Sequence, residues 1–288
     1  MKLSQVPKQI DKQITAQERW ITSQYRIALK ETRSKLGIIY EKYAVDGKLS
    51  YADMAKYNRL TALEDELTKV AGSTTVAVNS RLSRLPSDVY KETYLMSAYN
   101  IDPAKASLAV IPKKAVESVA SNPLDKIARN TLAQTTREGI RRSLVQGVMQ
   151  GQSYPDMAKS LKRVYEVSAK KALVIARTEG QRAMAEGQRD IMDKAQSLGI
   201  KIRLFWDAYL DSRTRDNHAF MNGREAEEHN GELMFYYEPT GQWVTGPMDP
   251  SLPAEDVINC RCASRQELAD EPVGQGQTMS YEEWKRGK

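Results

Sequence analysis

Residues 168–207 read SAKKALVIARTEGQRAMAEGQRDIMDKAQSLGIKIRLFWD, and a change of rhythm inside this stretch decides the fold class. Up to Leu198, small and apolar residues recur in steps of three and four: Leu173, Ala176, Gly180, Met184, Gly187, Ile191, Ala195 and Leu198. That spacing puts them on one side of a helix. Ala176, Gly180, Gly187 and Ala195 carry so little side chain that a second element can approach closely, so the stripe reads as a packing face rather than a cofactor box. Ser168 is expected to cap this helix at its start and Gly199 to end it. Beyond Gly199, Ile200, Ile202, Leu204 and Trp206 alternate with Lys201, Arg203, Phe205 and Asp207, which is a strand period.

Working outward, the N-terminal side is helical throughout. Residues 8–43 are polar and helix-favouring, with Ile10, Ile14, Ile21 and Ala28 at helical spacing. A turn over 45–49 leads to a helix over 50–71, and prolines at 86, 103, 112 and 123 are expected to divide shorter helices. The next helix, 123–151, shows Ile127, Ile140, Leu144 and Val148 toward one side. Ser153, Pro155 and Asp156 then start a short helix over 156–165. On the C-terminal side, a short helix or turn over 211–223 precedes two strands, 231–237 and 242–244, around a Pro239-Thr240-Gly241 turn. A last strand is expected over 257–264. The fold class is therefore α+β: a long, mostly helical N-terminal region, 1–150, then a small α+β module with a short antiparallel sheet, 151–268. Residues 269–288 form a polar tail, ordered only if something holds it.

Composition narrows the function classes. The 288 residues are 41% hydrophobic and 28% charged, ordinary for a soluble chain with about two domains. Two cysteines two positions apart exclude a secreted disulfide framework, and neighbours so close would strain a bridge of their own. The start of the chain lacks the apolar run of a secretory signal, and no stretch suits a membrane span, so no membrane partner is expected. Charge is divided unevenly. Residues 1–200 carry 33 Lys and Arg against 21 Asp and Glu, and 201–288 carry 10 against 16. A basic half suits non-specific contact with double-stranded DNA, and an acidic half suits protein.

Several polar residues in the second half stand out in order: Ala176-Arg177-Thr178-Glu179, Trp206, Asp211-Ser212-Arg213-Thr214-Arg215-Asp216-Asn217-His218, Gly223, Phe235, Pro247-Met248-Asp249-Pro250 and Ile258-Asn259-Cys260-Arg261-Cys262. This series, over roughly 150–266, resembles the phage head morphogenesis family of Mu F-like minor head proteins. The resemblance implies a minor capsid protein of a tailed phage, few in copies, inside the virion and made in the host cytoplasm. It would associate with the portal and packaged DNA, with the major capsid or scaffolding protein as further candidates, and act in head assembly and genome ejection.

The chemistry of those residues admits a more local reading. Asp211 is suited to N-cap a helix, which would bring Asp211, Thr214, Arg215 and His218 near one face. Cys260 and Cys262, two apart on a strand, would point to the same side. His218, Cys260 and Cys262, with Asp211 or His229 as a fourth, then form a candidate zinc site, the one cofactor the chain suggests. The competing reading is a hydrogen-bonded polar core with the thiols buried. Arg177 and Arg261 are expected to serve internal ion pairs. No catalytic residue is expected. The enzyme alternative is a nuclease or an ADP-ribosyltransferase-like effector delivered with the phage genome, the latter resting on Glu225-Ala226-Glu227.

Overall fold

The computed structural model describes residues 2–269 and 280–287. Long helices dominate: α1 (Val6–Tyr43), α2 (Tyr51–Ala55), α3 (Arg59–Ile101), α4 (Lys113–Ala120), α5 (Pro123–Met149) and α6 (Tyr154–Ser197). The mixed region follows: β1 (Ile202–Asp207), α7 (Asp216–Met221), β2 (Glu227–His229), β3 (Glu232–Tyr237), β4 (Gln242–Val244), α8 (Ala254–Val257), β5 (Ala263–Leu268) and α9 (Tyr281–Arg286). The α+β class is as the residues indicate. Two compact units are interleaved along the chain. One holds Gln17–Ser83 and Pro123–Ile175; the other holds Met1–Ala16, Arg84–Asn122 and Ala176–Lys288. Helices α1, α3 and α6 therefore each supply residues to both.

The first unit is helical. Leu36, Leu63, Leu67 and Val78 are buried there, as are Leu132, Ile140, Leu144 and Leu161. These recur at the three-to-four spacing of apolar helix faces. Ile127, expected on the same side as Ile140, is exposed instead. Buried hydroxyls pair across the unit: Thr32 with Tyr165 at 2.7 Å, and Thr136 donating to Ser168 at 2.7 Å. Ser168 does not cap a helix. It lies inside the uninterrupted α6, its hydroxyl donating to the Val164 carbonyl at 2.9 Å. A mid-helix serine satisfied in this way leaves the backbone ladder intact, so the two expected helices are one. Pro86 likewise sits inside α3 without ending it. Its missing N–H and ring clash cost about 3 kcal/mol in a helix interior, and burial of the neighbouring Leu85, Val89 and Tyr90 offsets this.

The second unit packs helices and strands around the C-terminal half of α6. The small-residue stripe works as a close-approach face. A Cβ on Gly180 would come within 2.9 Å of the Ile14 side chain, and one on Gly187 within 2.9 Å of the Tyr90 carbonyl oxygen. Gly199 ends the segment in a left-handed conformation, φ 78°, with the Ile200 N–H donating to the Ala195 carbonyl. Strands β1 and β5 pair antiparallel, Ile202 opposite Leu268 and Trp206 opposite Ser264. Strands β2, β3 and β4 form a separate antiparallel sheet around the expected turn. Gln188 of α6 and Gln266 of β5 fasten helix to strand: the Gln188 amide donates to the Ser264 carbonyl at 2.7 Å, and the Gln266 amide to the Gln188 carbonyl at 2.8 Å. The last strand begins at Ala263, later than expected, because α8 and a loop occupy 254–262. Of the expected polar tail, 270–279 lie outside the described residues, whereas 280–287 include α9. Trp284 of α9 is buried and donates to the Pro103 carbonyl at 2.9 Å, and Lys285 pairs with Glu92.

Candidate functional site

Three segments of the second unit meet around Trp206. Strand β1 carries that indole fully buried, stacked on Tyr237 of β3 with ring centres 5.8 Å apart. Phe235 and His218 meet it edge-on at 5.5 and 5.8 Å. Helix α7 holds His218 at 2% exposure, and the loop before β5 holds Cys260 and Cys262 at 2% and 4%. His218 Nδ1 lies 3.3 Å from the Cys262 Sγ and 3.5 Å from the Cys260 Sγ. The three donor atoms all lie within 4.8 Å of one another. Both cysteines are free thiols.

The convergence arises from a backbone other than the expected one. Cys260 and Cys262 are not on a strand; they sit in the loop after Asn259, which takes a left-handed φ of 58°. The Asn259 N–H donates to the Thr178 hydroxyl of α6 at 2.9 Å, and the Arg215 guanidinium donates to the Ile258 carbonyl at 2.8 Å. These contacts turn the loop so that both sulfurs face His218, and the Cys262 N–H donates to the Cys260 Sγ at 3.3 Å. Hydrogen bonding from the Cys262 thiol lowers the Cys260 pKa, with His218 adding to the effect against burial. The same pairing, together with burial, pushes the Cys262 thiol up.

On the other side of the imidazole, Nε2 lies 3.6 Å from the Asp256 Oδ1. Asp256, at 6% exposure, also accepts from the Asn217 amide at 2.8 Å and the Tyr237 hydroxyl at 3.0 Å. Burial and this carboxylate raise the Tyr237 pKa. The sequence singles out neither Asp256 nor Tyr237, and it marks Asn217 only as part of the ordered polar series. Asn217 adjoins His218 and Asp256 precedes Cys260 by four positions, but nothing local marks a carboxylate that reaches a histidine nearly 40 residues away.

Asp211 is not part of this cluster. Its Oδ1 accepts from the Arg213 N–H at 2.8 Å, a turn rather than a helix cap, since α7 begins five residues later. Its carboxylate is clamped by both terminal nitrogens of Arg261 at 2.6 and 2.7 Å, which holds its pKa well below the usual carboxylate range. Arg213 makes a looser contact with it at 3.6 Å. His229 also lies elsewhere, stacked on Trp243 at 4.3 Å. Gly223, φ 80°, closes α7 back onto β1 through its N–H to the Trp206 carbonyl. Arg177, 4% exposed, pairs with Asp11 and donates to the Thr15 hydroxyl at 3.1 Å. Glu179 accepts from the Asn122 amide and the Arg182 guanidinium. Asp249 accepts from Thr245 and Ser251 and organises the 245–251 loop. Glu225 and Glu227 do not share a site: Arg203 takes Glu225 at 2.6 and 2.7 Å, and Glu227 is exposed on β2.

The ordered polar series is thus the framework of one small module, and it points to a class: residues 138–265 match the family described as phage Mu protein F like protein. Among individual proteins, the chain is 26% identical over 303 residues to minor head protein GP7 of Bacillus phage SPP1, with 99% of this chain and 96% of that protein aligned. It is also 25% identical over 280 residues to the NAD(+)–arginine ADP-ribosyltransferase EFV of Enterococcus faecalis, covering 90% of this chain but 55% of that protein. An uncharacterized Haemophilus influenzae protein is 26% identical over 169 residues, 59% of this chain and 30% of that protein. No solved structure matches the chain.

Proposed function

We propose that this chain is a minor head protein that occupies the capsid interior of a tailed phage in few copies, bound to the portal and to packaged DNA, and acts in head assembly and genome delivery. The observation that carries the reading is the nearly end-to-end likeness to a phage minor head protein, 99% of one chain against 96% of the other. The charge division supports the two kinds of partner. The helical unit carries 21 Lys and Arg against 12 Asp and Glu, the mixed unit 22 against 25. A surplus of cations suits phosphate, and counterion release makes such binding fall with salt. The reading has no catalytic role in it. The likeness to a transferase covers 55% of that protein's length, and Glu225 is held by Arg203. Co-expression with the portal protein encoded by the same genome, followed by affinity purification through the portal, tests the reading. The full chain is expected to co-purify; its absence from portal-containing fractions would reverse the assignment.

A further inference from the structure

We propose that His218, Cys260 and Cys262 hold a divalent thiophilic cation, zinc by the chemistry of its donors, through Nδ1 and the two Sγ atoms. The ion would join α7 to the segment that leads into β5. This inference stands apart from the head-protein reading, since it concerns what holds the module together.

The distances are those of a ligand set. Zinc–sulfur bonds of about 2.3 Å and zinc–nitrogen bonds of about 2.0–2.1 Å at tetrahedral angles place nitrogen and sulfur about 3.6 Å apart. Nδ1 lies 3.3 and 3.5 Å from the two sulfurs. A network of hydrogen bonds explains this less well. Nδ1 takes part in one linear bond, yet two sulfurs converge on it at nearly equal distance, while a cation bonds all three atoms at once. Charge agrees, because two thiolates neutralise a divalent ion and the imidazole stays neutral, so the buried group carries no net charge to desolvate. Orientation agrees too. The nitrogen that would not ligate faces the Asp256 carboxylate at 3.6 Å, longer than a hydrogen bond but on the side where an orienting carboxylate sits at histidine metal sites. Two thiolates and an imidazole favour zinc over magnesium or calcium.

The test uses the full chain. Protein loaded with zinc and desalted is expected to retain one zinc per chain, and the Cys260→Ser/Cys262→Ser double variant none. Cobalt loaded in place of zinc should give an intense thiolate-to-metal band that the double variant lacks. Because the variant can fail to fold, the parent chain is also compared before and after chelation. Chelation should lower Tm and speed the reaction of both cysteines with a thiol reagent, and added zinc should reverse both. Asp256→Asn should weaken zinc binding by about 10–100-fold while leaving one site per chain. A parent chain that keeps no zinc after desalting, with Tm and thiol reactivity indifferent to chelator and zinc, would overturn the proposal.

Discussion

The two units of this protein are held together differently. In the helical unit, Gln17–Ser83 with Pro123–Ile175, apolar faces at helical spacing supply the core, and its buried polar contacts are mostly hydroxyl pairs such as Thr32–Tyr165, beside the Asp125–Arg129 ion pair. In the mixed unit, an aromatic stack and converging polar side chains occupy the same structural role: Trp206 on Tyr237, His218 against two thiols, Arg177 on Asp11. Helices can satisfy their backbones internally and pack by shape. Strands of three to six residues cannot bury enough area alone and need side chains that bind across the gaps between them. Charge follows the same line, with a surplus of nine cations in the helical unit and three anions in the mixed one.

That contrast is open to attack at its strongest point. Trp206 is fully buried and touches three other rings. Trp206→Ala should cost about 3–5 kcal/mol, read as a lowered urea midpoint and Tm. A loss under about 1 kcal/mol, typical of a surface site, would mean the stack does not organise the unit.

The charge contrast has its own test. Arg142, Arg163, Lys170 and Lys171 are exposed in the helical unit. Reversing all four to Glu should weaken binding to arbitrary double-stranded DNA about tenfold or more at low salt and flatten the dependence of log K on log salt. Retardation assays across a salt series read both. Unchanged slopes would move DNA contact away from that unit.

How far the residues announce this architecture depends on the range of the interaction. The step from helix to strand at Gly199 and the β3–β4 turn are local patterns, and both are legible. The single long α6 is not, because Ser168 looks like a cap until its hydroxyl is seen bonded back to Val164. Pro86 looks like a helix end until the burial around it is known. The interleaving of the units rests on long-range packing that no periodicity encodes. At the candidate site, His218, Cys260 and Cys262 are recognisable by type and do converge. Asp211 is legible as important but not for its partner, since a guanidinium 50 positions away takes it.

A smaller effect probes the helical unit. Tyr165→Phe removes the partner of the buried Thr32 hydroxyl. Because Thr32 lies inside α1 and can turn to its own helix carbonyls, the cost should sit near the low end, about 1 kcal/mol by chemical denaturation. A loss of several kcal/mol would show that this unit too depends on specific polar contacts.

The smallest expected effect is a pH dependence at the surface of the mixed unit. Arg261 lowers the folded-state pKa of Asp211, so the stability of the pair is present above the unfolded carboxylate pKa, about 4. It is lost as pH falls below that value toward the depressed folded one. Asp211→Asn should therefore narrow the gap between Tm at neutral pH and Tm below pH of about 4. Parent and variant losing stability in parallel on acidification would remove the pair from the account.

Most directly, the placement of this chain in the head is tested by quantitative mass spectrometry of purified, DNA-filled heads from the genome that encodes it. The account predicts the chain in those particles at a few copies per portal, far below the coat protein, and protected from protease until the heads are opened. Heads that package DNA but lack the chain, while it accumulates free in the lysate, would contradict it.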